Sequence, residues 1–518
     1  MKKKFKNIVF AQSINELEFI YKKISKVDNL YCVPLNLTVQ LYCIEKNVPH
    51  LNPIFYIHKK FHNEAILSSE KMIKNINFSK DFQPSEKINI RTFLRFYFNS
   101  IIYLIEIIER LTKKENIKNV YVSGWFNYKD TYSKENYYLS FILKKLFKSK
   151  IIEIERKKIN LRQLDHKFEY EISTKKINND LKVILLTNIG YNFLRILKYF
   201  FKKERILILS PENLKISKLK KIIFKFFKLQ FFSFRVIKKK TKYSIKLPSI
   251  KYQFRKKFNI TKLLNFRIKQ EKNNIIKNRL LYKSIEKFFY KIKPSLIISN
   301  NSRNLDGLFL DYGYRKNIPF FCIPHGTISG YFNKFDKIYK KIIAESVTYP
   351  KSIYVSQSNI SDLFFKKEKK YFKKIICTGN ILFAENIEKE TKDKKILYAV
   401  TMKDFENIQY VGVEMYYEYL DNLSLLNGLA KNYNLKIIVK NHPSIEHLTQ
   451  KLKKQFENLT FSDKKIQKLL NETFCTISFS STAIEDSLYS NNPVILLDRW
   501  KRYKHCKTIS NSKFKNQA

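Results

Sequence analysis

Short apolar runs alternating with longer amphipathic stretches constrain this chain more than any other feature of its sequence. A run of Val, Ile, Leu and Phe reads as a buried strand, and the stretch after it as a helix folding back over it. Repeated, the pair gives βα units and parallel sheets, an α/β fold. Asn7–Phe10 followed by 15–24, and Leu30–Val33 followed by 38–46, are the first examples. Val120–Ser123 and Arg205–Leu209 continue the series. Between about 150 and 290 the rhythm blurs into a basic, aromatic stretch. From 295 it sharpens again, with strands expected at Ser295–Ser299, Pro319–Ile323, Ser352–Ser356, Lys374–Thr378, Ile396–Val400, Lys436–Val439, Thr476–Phe479 and Pro493–Leu497. Helices are expected over about 305–316, 361–366, 411–433 and 483–490.

Charge needs a separate reading. Lys and Arg total 100 against 45 Asp and Glu, a net charge of +55, which favours anionic surfaces in a salt-dependent way. The abundance of Lys, Asn, Ile, Phe and Tyr equally fits a coding sequence rich in A and T. The chain is 44% hydrophobic, enough for large cores, so wholesale disorder is excluded. Two segments, Tyr191–Lys203 and Lys215–Phe232, interleave lysines with Ile, Leu and Phe. Each suits either a helix covering a core, with lysines reaching outward, or a helix lying on an anionic membrane. The lysines are spread along the whole chain and no nucleic-acid module is recognisable, so no specific nucleic-acid partner is expected. A basic nucleic-acid-binding protein and a non-catalytic scaffold stay as alternatives.

Six scattered cysteines, none in C-x-x-C spacing, suit a reducing cytosol and give no zinc or dithiol pattern. The basic N-terminus carries only Ile8-Val9-Phe10 as an apolar core, too short for a signal peptide. No apolar run reaches the ~18 residues of a membrane span. The expectation is a cytoplasmic protein, free or resting on the inner face of the cytoplasmic membrane.

In parallel sheets ligands bind beyond the carboxyl ends of strands, so the residues there are the candidates. His325-Gly326-Thr327 follows one strand: an imidazole able to move a proton or donate to phosphate, beside a residue that lets a ligand approach. It equally suits a turn cap. Lys440-Asn441-His442-Pro443 ends another strand, and Lys440 and His442, two apart, project to one side of extended chain as a small cationic site. Ser480-Ser481-Thr482 opens a helix whose N–H groups and hydroxyls suit an anion. A plain N-cap by Ser481 or Thr482, with Glu485 completing a capping box, fits as well. Glu485 also suits a ribose or acceptor hydroxyl. Asp306, near a strand end, is a candidate acidic base, and Gly379 and Thr401 close two further strands. P-loop, G-x-G-x-x-G, G-x-S-x-G and H-E-x-x-H patterns are missing, which removes support for ATPases, ordinary dehydrogenases, serine hydrolases and zinc proteases.

The order of these motifs over 295–497 resembles the GT-B glycosyltransferases of bacterial surface polysaccharide synthesis, above all the capsule-synthesis and polysialyltransferase-like group with its H-P motif. It is also similar to the CDP-glycerol glycerophosphotransferases, which carry an H-G-T motif, a later basic-His site and an S-S-x-x-x-acid element. Here these stand as His325-Gly326-Thr327, His442-Pro443, and Ser480-Ser481 with Glu485. Two departures are plain: Asn304-Leu305-Asp306-Gly307 replaces an acid-acid-Gly element, and Ile328-Ser329-Gly330 replaces the Pro and basic residues after H-G-T.

The resemblance implies two Rossmann-like domains with parallel sheets facing a cleft. These would be an acceptor-side domain over 1–335, with the basic aromatic stretch 150–290 as an insertion, and a nucleotide-donor domain over 336–518. It implies transfer of a sugar from a CMP- or UDP-type donor to a surface polysaccharide (capsule or lipopolysaccharide) or a lipid-linked glycan, with polyol-phosphate transfer from a CDP-glycerol or CDP-ribitol donor as the alternative. His325 and Asp306 would be catalytic. Lys440, His442, Ser480, Ser481, Thr482, Glu485, Gly379 and Thr401 would hold the donor. No metal or cofactor is implied, because basic residues and helix ends would stabilise the leaving phosphate.

Overall fold

The computed structural model describes residues 5–58, 60–123, 137–147, 150–154, 168–174, 177, 180–188, 205–212, 229–237, 244–255, 258–324, 328, 330–331, 333–368, 372–379, 395–400, 416–479 and 481–497. The first part of the chain supplies β1 (Lys6–Ala11), β2 (Leu30–Pro34), β3 (Ile76–Asn77), β4 (Ile117–Ser123) and β5 (Ile151–Ile154). The middle supplies β6 (Glu169–Ser173), β7 (Lys182–Leu186), β8 (Ile206–Pro211), β9 (Leu229–Ile237), β10 (Ser249–Ile250), β11 (Gln253–Phe254), β12 (Phe258–Asn259), β13 (Leu296–Ser299), β14 (Phe320–Cys322), β15 (Ile353–Ser356) and β16 (Lys374–Cys377). The last part adds β17 (Lys395–Ala399), β18 (Lys436–Lys440), β19 (Leu459–Phe461), β20 (Cys475–Ser478) and β21 (Val494–Leu496).

These strands form a four-stranded sheet β2-β1-β4-β5, an eight-stranded sheet β16-β15-β14-β13-β7-β8-β9-β6 and a five-stranded sheet β19-β18-β17-β20-β21. All their pairings are parallel except β6 against β9. The expected α/β class is therefore present. Counted along its own chain, the five-stranded sheet runs 3-2-1-4-5 and the seven parallel strands of the larger one 3-2-1-4-5-6-7. That doubly wound order is Rossmann-like, and each sheet has a switch point where the strand order reverses: between β7 and β13, and between β17 and β20.

Two expectations about domains need correction. The 335/336 boundary falls between β14 and β15, which are hydrogen-bonded neighbours in one sheet. The stretch 150–290 is not an insertion: β7, β8 and β9 are inner strands of that same sheet, and Leu229–Phe232 is strand where a basic helix was expected. The reason is local. Lys182–Leu186 is a nearly continuous apolar run, buried on both faces and obscured in the sequence by flanking lysines, whereas Ile206–Pro211 was expected as a strand but not as part of this sheet. The remainder of Lys215–Phe232, and Tyr191–Lys203, lie outside the described residues. The four-stranded sheet precedes the two Rossmann-like ones in the chain.

Local chemistry sets the early elements. Ser13 and Asn36 cap the helices after β1 and β2 by accepting from the N–H groups of Glu16 and Val39. The helix Pro84–Lys114 starts with Pro at its first turn and a capping box from Gln83 and Glu86. It runs through a hydrophobic cluster that joins Ile8 and Val33 of the first sheet to Tyr398 and Val439 of the last. Its start meets the helix Asn304–Lys316 closely. A Cβ on Gly307 would lie 2.6 Å from the Ser302 carbonyl oxygen and 2.6 Å from Ser85 Cβ, so only glycine fits there.

The same junction buries Asp311, whose carboxylate accepts from the Ser85 N–H at 3.3 Å and from the Ser85 and Tyr349 hydroxyls. Burial pushes its carboxyl up to about 6, with nearby Glu86 adding to the effect and the hydrogen bonds opposing it. The folded state therefore holds a proton that the unfolded chain has released above its ordinary value near ~4. Stability falls as pH rises through that window, by about 3 kcal/mol in all. Asp311→Asn should lose this slope. In urea denaturation the variant gains on the parent by about 2–3 kcal/mol between pH 4 and pH 7; an unchanged difference across that range would refute the assignment.

The two-residue hairpin strands β11 and β12 dock on the N-terminal unit through Arg255, which takes a left-handed φ of 49° between them. Its guanidinium donates to Glu64 Oε1 at 2.7 Å, Glu106 Oε2 at 2.8 Å and Glu109, and lies over the rings of Phe61 and Phe254. Among the described residues no helix is long and apolar enough to cross a membrane.

Candidate functional site

Strand register places three of the sequence candidates on one edge. Ala399 pairs with both Lys440 and Ser478, so β17, β18 and β20 end level. The ends are stitched together: the Val400 N–H donates to the Lys440 carbonyl at 3.1 Å, and Ser478 Oγ to the Ala399 carbonyl at 2.8 Å. His442 and Ser481 leave this carboxyl edge from strands on either side of β17, and both are half-buried. This is the switch point of the five-stranded sheet. Ser480, in the loop of Ser481, and Thr401, which follows β17, lie outside the described residues.

Buried Asn441 fixes the loop after β18. Its side chain accepts from Tyr419 Oη at 2.7 Å and donates to Thr449 Oγ1 at 3.2 Å. The Ile445 N–H then bonds the His442 carbonyl at 2.9 Å, starting the 3-10 turn Pro443–Leu448. Sequence spacing paired Lys440 with His442 as a cationic site. In the structure the Lys440 ammonium is tied to Glu446 at 2.8 Å and the Asp463 carbonyl at 3.2 Å, so its charge is already matched.

The helix after β20, Ala483–Tyr489, is only seven residues long, so its dipole is small. Thr482 makes no side-chain cap, and Ser481 Oγ instead accepts from the Ala483 N–H at 3.2 Å. Glu485 is buried near the Tyr354 phenol of β15, which burial pushes well above its ordinary value, with Cys322 and Glu485 adding to the effect. Tyr489 Oη donates to the Gln357 carbonyl beyond β15 at 2.9 Å. The helix thus sits where the five- and eight-stranded sheets meet.

The second cluster lies at the switch point of the eight-stranded sheet. Asp306, in the first turn of the helix after β13, accepts from Asn188 Nδ2 at 2.8 Å on one carboxylate oxygen and from Asn301 Nδ2 at 2.6 Å on the other. Asn188 also donates to Asn300 Oδ1 at 2.8 Å, and the Thr187 and Ser299 hydroxyls meet at 2.9 Å. Burial raises the Asp306 carboxyl above the usual carboxylate range, although Thr187, Asn188, Asn301 and the Arg303 charge all favour its ionised form. A carboxylate held by amides on both oxygens, with its proton affinity raised, can accept a proton from a hydroxyl. The sequence reading found Asp306 but missed Asn188, Asn300 and Asn301. Their position after apolar runs was the available signal.

His325, Gly326 and Thr327 lie outside the described residues. The strand before them is fixed: the Ile323 N–H donates to the Ser299 carbonyl at 2.7 Å, and Gln357 Nε2 to the Pro324 carbonyl. β14 is not the last strand of its sheet, since β15 and β16 lie beyond it. Gly379 follows β16 with φ +76°, a conformation that favours glycine. It stands on the eight-stranded sheet, away from the level edge that carries His442 and Ser481. Among the described residues no three His, Cys, Asp or Glu side chains gather as a metal site.

No family model and no curated protein matches the chain. Among solved structures it is similar to the UDP-GlcNAc 2-epimerase of Neisseria meningitidis bound to UDP-GlcNAc, at 12% identity and a TM-score of 0.34, over 61% of this chain and 82% of that one. The Methanocaldococcus jannaschii UDP-GlcNAc 2-epimerase in complex with UDP-GlcNAc and UDP aligns at 16% identity and a TM-score of 0.31, over 62% of this chain and 84% of that one. An alpha,alpha-trehalose-phosphate synthase from Burkholderia vietnamiensis aligns at 7% identity and a TM-score of 0.31, over 60% and 82%.

Proposed function

We propose that the chain is a nucleotide-sugar-dependent glycosyltransferase of the GT-B type. The observation that carries this reading is the level edge of β17, β18 and β20, which brings the His442 and Ser481 loops together at a switch point. Such an edge suits the phosphates of a nucleotide donor. His442 would donate to the diphosphate, with Ser480, Ser481, Thr482 and Thr401 around it. Asp306 would take the proton of the acceptor hydroxyl at the other switch point, and His325 would work beside it. The order of the sequence motifs suggests a surface polysaccharide or lipid-linked glycan as the acceptor.

Thermal shift with CMP, CDP, UDP and GDP tests the donor side first. One nucleotide should raise the melting temperature of the parent, and His442→Ala should lose most of that rise while melting unliganded as the parent does. On turnover the same variant should fall about 100-fold or more, the scale of losing one preorganised donor to a developing oxyanion. A nucleotide response that survives in His442→Ala removes the assignment. Turnover with CDP-glycerol in place of a nucleotide sugar would move the protein to polyol-phosphate transfer.

A further inference from the structure

We propose that Asn300 is a positioning residue: it makes no hydrogen bond to Asp306 among the described residues, yet it fixes which end of the Asn188 and Asn301 amides that carboxylate meets. The inference rests on the reading of Asp306 as the base of the transfer, and adds the device that holds it ready.

Strand register supplies the placement. Ile298 pairs with Leu186, and two residues further on Asn188 and Asn300 leave β7 and β13 side by side. Asn188 Nδ2 donates to Asn300 Oδ1 at 2.8 Å, and Asn300 Nδ2 donates back to Asn188 Oδ1 at 3.2 Å. Asn301 Nδ2 donates to the same Asn300 oxygen at 3.0 Å. The loop beneath them is pinned: Ser299 Oγ donates to the Asn301 carbonyl at 2.7 Å, and the Ser302 N–H to the Ser346 carbonyl at 3.0 Å.

A side-chain amide has an accepting end and a donating end, and turning it over exchanges them. Here the choice is made once and passed on. The Arg303 N–H only donates, and it meets Asn301 Oδ1 at 2.9 Å. The other end of Asn301 is therefore its NH₂ group, with one hydrogen for Asp306 and one for Asn300 Oδ1. With its oxygen taken, Asn300 turns its own NH₂ group to Asn188 Oδ1, and Asn188 then presents its NH₂ group to Asp306. Without Asn300, no described residue tells the two ends of Asn188 apart except Asp306 itself. Two other charged or titratable groups act on Asp306. The Arg303 guanidinium favours its ionised form, and the Cys322 thiol of β14 is pushed by burial up to about 12 and stays neutral. Neither is touched by the substitutions that test Asn300.

Carbon-13 NMR of the Asp306 carboxyl in the full chain, assigned by its loss in Asp306→Asn, is the experiment. Asn300→Ala should raise the titration midpoint by about 1 pH unit, the scale of one donor lost to a carboxylate. Asn300→Ser should raise it as well, because a hydroxyl both donates and accepts and so does not orient Asn188. Asn188→Ala should give a similar rise, and combined with Asn300→Ala less than the two single shifts summed. The acid limb of turnover should move with the midpoint. An unmoved midpoint in both Asn300 variants, or strict additivity with Asn188→Ala, would overturn the proposal and leave Asp306 as the base. A midpoint that moves while the acid limb stays in place would remove Asp306 as the base, so that the underlying reading falls and the proposal with it.

Discussion

Replacing Arg255 by methionine should cost the fold about 3 kcal/mol, the scale of removing one partner from a buried ion pair. Glu106 is the reason. Its side chain is 4% exposed, and without Arg255 it keeps, among the described residues, only Arg110, at 2.5 Å, and the His58 N–H, at 3.2 Å, as hydrogen-bond partners. Glu64 and Glu109 lose the same cation but reach solvent, so they add less. The left-handed backbone at 255 also loses the contacts that hold it, and the β11–β12 hairpin loosens from the N-terminal unit. Urea denaturation of parent, Arg255→Met, Glu106→Gln and the double variant forms a cycle. The double variant should recover part of the loss, because the neutral amide no longer needs the guanidinium. A loss below 1 kcal/mol, or strict additivity, would show that the network is only a solvated surface feature.

Asp306→Asn should lower turnover by about 10²–10⁴-fold if this carboxylate is the base of the proposed transfer. Stability should change little: the amide avoids the burial cost of the charge, but one of the donors from Asn188 and Asn301 then faces an NH₂ group. The pH profile is the sharper readout. A base must be ionised, and burial raises this carboxyl, so parent activity should rise with pH through a limb lying above the ordinary carboxylate range. In Asp306→Asn the residual activity should lack that limb. A variant with full turnover, or with the parent's acid limb intact, would exclude Asp306 as the base and leave His325 as the candidate.

Local pattern made much of the fold readable. The helices expected over 15–24 and 38–46 form at Ile14–Lys23 and Leu37–Glu45, because their apolar period and their caps are satisfied within a few residues. The strands from 295 onward stand out because Gly, Pro and polar residues punctuate them. The middle was read only in part, for an equally physical cause: β8 was legible as a strand, but β7 is short and buried on both faces, so it shows no alternation, and lysine-rich flanks gave the stretch the look of an insertion. Lys440 shows the limit at the site. Spacing offered it as a partner of His442, yet its ammonium pairs with Glu446, which the turn that follows brings to it.

The sequence by itself determined the α/β class and set His442 and Ser481 beyond strand ends, because the two- and 3.6-residue periods and the punctuating residues act over a few positions. Only the tertiary structure decided which strands lie side by side. β7 next to β13 brings Asn188 to 2.8 Å from Asp306 across 118 residues, and β17 between β18 and β20 sets His442 and Ser481 at one edge. Such neighbours are selected by the burial of whole sheets and helices against one another, a long-range energy that no short window of residues records.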